Sequence, residues 1–162
     1  MYFWKIKNLK DELIKNGLSQ KSMFIYILLY VLLGQLFVEV SCIFPSEEVA
    51  TTTDYIQMIF DLAVVGIGTY LCFYANGSDK GQQFSERYFS IGFVVGLRFM
   101  VLLLPIVIVF GIVAGILSET SGLDLDGPVF NYGVLVIVSA WLVAMYWRII
   151  AHINYVAKAE NV

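Results

Sequence analysis

The stretch IGFVVGLRFMVLLLPIVIVFGIVAGIL, Ile91–Leu117, carries one charged residue, Arg98, in 27 positions. As a helix rising 1.5 Å per residue it reaches about 40 Å, more than the roughly 30 Å of a bilayer's hydrocarbon core, so it reads as a transmembrane helix that tilts or projects. Three further apolar stretches, Ser22–Phe44, Asp54–Ala75 and Val129–Ile150, have span length, and with the first they take up 94 of the 162 residues. Each of the remaining pieces is 21 residues or shorter, below the roughly 40 residues at which a domain folds unaided. Composition agrees: 59% of residues are hydrophobic and 14% charged, with a mean hydropathy of +0.79, whereas soluble domains carry about 25% charge.

The predicted fold is therefore an all-α integral membrane protein with four transmembrane helices over about 22–44, 54–75, 91–117 and 129–150. Connections of 9, 15 and 11 residues predict an up-down-up-down bundle of two helical hairpins. Residues 22–162 form one transmembrane domain, preceded by an N-terminal segment over 1–21. Thr53 is the expected N-cap of the second span, Pro128 suits the first turn of the fourth, and Asn76–Gly81 has turn chemistry. In the N-terminal segment Phe3, Ile6, Leu9 and Leu13 recur at helical spacing with lysines largely opposite, and Gly17 is a natural stop. That pattern predicts a short amphipathic helix in the interfacial layer, the alternative being a frayed tail. The first span is too long for a secretory signal and lacks a cleavage site, so the start of the chain is expected to be retained.

Basic residues set the orientation, because Lys and Arg stay on the cytoplasmic side of short loops. Lys5, Lys7, Lys10, Lys15 and Lys21 precede the first span, Lys80 and Arg87 lie between the second and third, and Lys158 follows the fourth. The other two loops carry only Glu47, Glu48, Glu119, Asp124 and Asp126. Both termini are expected in the cytoplasm, with the protein in a bacterial inner membrane. A net charge of −3 thus conceals a basic inner face suited to anionic lipid.

Within the spans three groups stand out. Gly92/Gly96 and Gly111/Gly115 flank Pro105, which removes a helical hydrogen bond and predicts a kink; Ala140/Ala144 repeat the spacing in the fourth span. Such pairs let helices approach closely, either between protein copies or within the monomer. Glu39 and Asp61 lie at matching depth below the outer surface, each one turn from an amide, Gln35 and Gln57. With no cation in the outer half of any span, this pair reads either as a proton or cation site or as packing polarity. Arg98 sits about a third of the way in from the cytoplasm. It is expected to snorkel or to bond a hydroxyl of Tyr26, Tyr30, Thr69 or Tyr70, or else to form a lipid-headgroup site with Arg87, Trp147 and Arg148.

Other chemistries lack their components. His152 is the lone histidine, so neither a bis-histidine haem nor a His-rich metal site is expected, and no cofactor is implied. Cys42 and Cys72 belong to opposite ends of their spans and are too far apart to pair. No P-loop, GxSxG or HExxH motif occurs, and nothing points to nucleic acid. These features predict a non-enzymatic membrane protein that contacts lipid and serves as a subunit or membrane partner, with itself or with another membrane protein. The alternative is a small oligomeric channel or ion-coupled carrier that uses Glu39 and Asp61. The orientation has a direct test. In a background without Cys42 and Cys72, Ser46→Cys and Ser121→Cys are expected to react with an impermeant thiol reagent in intact cells, and Ser78→Cys is not.

Overall fold

Apolar side chains must find partners or lipid, and where they find each determines the shape of this chain. The computed structural model describes residues 2–15, 17–43, 52–122 and 128–160, with side chains for all of these except 37–43, 121, 128–129, 131 and 160. The elements are α1 (Ile6–Lys15), α2 (Gln20–Ile43), α3 (Thr52–Ala75), a 3-10 turn over Ser78–Lys80, α4 (Phe84–Ser121) and α5 (Pro128–Glu160). Three of them, α3, α4 and α5, are long and apolar enough to cross a membrane. Helix α2 is apolar over Gln20–Leu36, the part whose side chains are described.

Several boundaries differ from expectation. Helix α3 begins at Thr52, which places Thr53 inside the first turn instead of at the cap. Helix α4 begins at Phe84 and runs unbroken through Pro105, and α5 continues to Glu160. At 38 and 33 residues these helices are about 57 and 50 Å long and outreach the hydrocarbon core. Their extra turns have partners: Ile153 and Val156 of α5 and Ile91 and Val94 of α4 are buried in one core with Ile6, Leu9 and Leu13 of α1. The amphipathic pattern of α1 is thus satisfied by protein, since the helix docks on α4 and α5.

The join between α1 and α2 is held from outside. Gly17 adopts φ +67°, which ends α1 without a Cβ penalty, and the Leu18 amide donates to the Glu86 carboxylate on α4. At the other connection Gly77 has φ 102°, and an added Cβ on Gly81 would overlap the Asn76 carbonyl.

Helix order is α2–α4–α5–α3 by packing. Helices α3 and α5 run parallel, Gly68 meeting Tyr146 and Gln57 meeting Ser139. Helix α4 runs opposite to α5, with Phe99 beside Trp141 and Phe110 stacked on Phe130 at 5.6 Å. The expectation that each span lies beside its sequence neighbour is corrected for α2 and α3: among the described residues they form no packed interface, and α3 meets α4 only through side chains such as Phe73–Phe84. The reason is reach. Eight residues can extend about 28 Å, well beyond the roughly 8–10 Å between packed helices, so a connection of that length limits the partner without dictating it.

The tightest contact lies between α3 and α5. A Cβ on Gly68 would stand 2.6 Å from Cγ and 2.8 Å from Cε1 of Tyr146, so only glycine admits the ring. Gly66, two residues earlier, faces open space. Gly68→Ala is expected to lower unfolding stability in detergent by about 1–3 kcal/mol, the cost of overpacking, whereas Gly66→Ala is expected to leave it unchanged or slightly raised. Paired denaturation curves check the contrast.

Candidate functional site

Tyrosine hydroxyls inside an apolar bundle need partners, and four helices supply one group each to a single junction. Thr69 Oγ1 of α3 and the Tyr88 hydroxyl of α4 lie 2.9 Å apart. Tyr146 of α5 lies close enough to act on both, and Tyr30 of α2 close enough to act on Tyr88. Two of the hydroxyls expected near Arg98, those of Tyr30 and Thr69, are therefore engaged here. A third, Tyr26, accepts from the Tyr2 amide at 2.8 Å and donates to the Tyr2 carbonyl at 3.2 Å. Tyr70 is exposed.

The carboxylate pair is represented by Asp61, because the Glu39 side chain lies outside the described residues, as does that of Cys42. The Gln57 amide donates to Asp61 Oδ1 at 2.6 Å, and the Ser139 hydroxyl of α5 donates to Gln57 Oε1 at 3.5 Å. The i, i+4 spacing read from sequence thus forms a real contact, extended to a neighbouring helix by a serine that carried no sequence signal beyond its depth. Gln35 lies exposed on α2. Cys72 is a free, buried thiol.

Of the small-residue pairs, Gly111/Gly115 faces outward, whereas Gly92 is buried and Gly96 half-buried. A Cβ on Gly96, Gly111 or Gly115 would meet nothing within 4 Å, and one on Gly92 only Tyr30 Cε2 at 3.8 Å. Gly92 and Gly96 line a cavity of about 340 Å³ between α2, α4 and α5, together with Tyr30, Phe99 and Trp141. Ala140 is exposed, and Ala144 lies in a second groove. The close helix–helix contact that glycine does make, at Gly68, was not among these candidates.

The basic candidates separate into two places. Arg87 is buried at 1% exposure, and its Nη1 donates to Asn76 Oδ1 at 2.9 Å, fastening the start of α4 to the end of α3. Arg98, Trp147 and Arg148 instead line a groove of about 400 Å³ between α4 and α5, joined by Val95, Phe99, Leu102, Ala144 and His152. Arg98 Nη2 donates to the Trp4 carbonyl, not to a tyrosine, and its guanidinium carbon stands 5.6 Å from the Trp4 ring centroid. Lys10 lies over the Tyr155 ring at 3.9 Å. Burial holds its ammonium below the usual lysine range; Asp11 pulls the other way, while Arg148 and Lys7 add to the depression. Trp4, Lys10 and His152 were missed as members of this group because the N-terminal segment and the end of α5 lie far from Arg98 in the sequence.

Among the described residues no three His, Cys, Asp or Glu side chains gather into a cluster that would hold a metal. Compared with known proteins, the chain matches no family model, no curated sequence and no solved structure. The Asp61 arrangement has its own test. Asp61→Asn retains the acceptor oxygen for Gln57, so unfolding stability is expected within about 1 kcal/mol of the parent. Proteoliposomes of parent and variant are both expected to show no cation-dependent flux, and flux lost only in the variant would make Asp61 an ion ligand.

Proposed function

We propose that this small all-α membrane protein acts without catalysis, as a subunit that joins a second copy or another membrane protein through the outer half of α4. The observation that supports this reading is the state of Gly111 and Gly115, which lie on a helix whose apolar side chains stay uncovered by the rest of the chain. Val107, Ile108 and Ile112 are more than half exposed, and among the described residues from Val101 to Thr120 only Ala114 is buried. Lipid tails are as apolar as these side chains, so burial alone does not draw two such helices together. Backbone approach at small residues does, and both glycines are unoccupied. In this reading α2 is a fourth crossing, both termini lie in the cytoplasm, and the membrane is a bacterial inner membrane, as the basic residues favour.

A carrier or channel is the second reading, favoured by the Asp61 carboxylate held within a span by Gln57, whose own oxygen accepts from Ser139. It ranks lower because a cation site needs several ligands, and α3 is unbroken at this level, offering no free carbonyls. The association is tested by Gly111→Leu with Gly115→Leu. The bulky side chains would meet nothing in the monomer, so the double variant is expected to insert and unfold like the parent while the complex extracted from native membrane shrinks to a smaller mass. An unchanged mass rejects this face of α4 as the contact surface.

A further inference from the structure

A cationic groove with an apolar floor lies where α4 and α5 pass α1. Its walls order by depth. His152 and Val95 stand toward the end at which α4 begins and α5 finishes, Arg98 and Arg148 come next, and Phe99, Leu102 and Ala144 continue into the span. Lys10 of α1 lies close enough to act electrostatically on both Arg148 and His152, and so does Arg98 on His152. Asp11, next to Lys10 in sequence, is the carboxylate that acts on this lysine; the groove itself is lined by none. Arg98 keeps a buried Nε–H with no hydrogen-bond partner beside the N–H that serves Trp4.

We propose that this groove binds one anionic phospholipid, its phosphate held by Arg98, Arg148 and His152 and its first acyl chain laid along Phe99, Leu102 and Ala144. Two guanidinium groups bordering one groove, with Lys10 nearby, repel one another, and a phosphate diester relieves that repulsion while accepting charge-assisted hydrogen bonds from both arginines and a further N–H from the His152 ring. Guanidinium groups match phosphate in pairs of N–H donors. A free phosphate ion satisfies the cations equally well but leaves the apolar floor without a counterpart, whereas a phospholipid covers both. Trp147, 72% exposed beside Arg148, has the amphipathic ring that settles at the headgroup boundary. Basic pockets between membrane helices are a known means of retaining anionic headgroups. The site needs no second protein copy and stands whether or not α4 associates.

Native mass spectrometry of the full chain in detergent tests it, with phosphatidylglycerol and phosphatidylcholine of identical acyl chains as probes. One phosphatidylglycerol is expected to stay bound where phosphatidylcholine is lost, a preference of about tenfold or more, since both lipids carry the phosphate diester but choline brings a quaternary ammonium that Arg98, Arg148 and Lys10 repel. Arg148→Gln removes a cation that is exposed, so the variant is expected to fold like the parent and to lose most of that preference. Arg98→Lys keeps a charge but gives up the paired donors and is expected to fall between. Lys158→Gln, remote from the groove, is expected to match the parent. Equal retention of the two lipids, or an Arg148→Gln variant indistinguishable from the parent, overturns the proposal. Displacement of the lipid by millimolar glycerol 3-phosphate also overturns it and assigns the cations to a soluble phosphate.

Discussion

Tyr146 packs directly on the backbone of α3 at Gly68, beside the junction where Thr69 of α3 bonds Tyr88 of α4 and which Tyr30 of α2 approaches. In lipid, helices gain nothing by hiding apolar surface from one another, so close packing and internal hydrogen bonds must hold a bundle together. Both come together here. The missing Cβ of Gly68 lets α5 approach α3, and the approach carries the Tyr146 hydroxyl to a place where α4 and α2 can reach it. The order α2–α4–α5–α3 follows from which helices own these groups rather than from which are joined by short loops.

The bundle has two unlike ends. Where α1 docks, Leu9, Leu13, Ile91, Val94, Ile153 and Val156 are almost fully buried, and polar ties accumulate: Leu18 to Glu86, Arg87 to Asn76, Arg98 to Trp4, Tyr26 to Tyr2. There the surroundings include water, so the hydrophobic effect operates in its ordinary form and rewards a closed core. Toward the opposite end α4 is left uncovered, and Phe110 on Phe130 is the described ring contact that still ties it to α5. A rigid, protein-packed base with an apolar, lipid-exposed top suits a molecule whose contacts with its surroundings are lateral.

The chain's basic residues divide along the same line. Arg87 serves the fold, because a guanidinium at 1% exposure bonded to Asn76 holds the α3–α4 connection in place. Arg98 and Arg148 border open space between α4 and α5, where their charge is available to something else. Equivalent residue types at similar sequence depth thus have different roles, and burial separates them.

Hydropathy and charge were sufficient to read the helical membrane character, where the apolar segments lie along the chain and the amphipathic stripe of Ile6, Leu9 and Leu13, because each is a local property repeated over many residues. The Gln57–Asp61 bond and the positive φ of Gly17 were legible for the same reason: both rest on spacing within one helix or on a single residue's backbone freedom. Only the tertiary structure decided which glycine is filled and which are open, where the hydroxyls of Tyr30, Thr69 and Tyr26 find partners, how far α4 and α5 continue, and that Arg98 meets Trp4 while Arg87 does not join it. Those outcomes depend on distances between residues remote in sequence. In lipid nearly any apolar face is acceptable to the solvent, so composition cannot rank the ways the helices might turn toward one another; the few side chains that must be satisfied by a specific neighbour do.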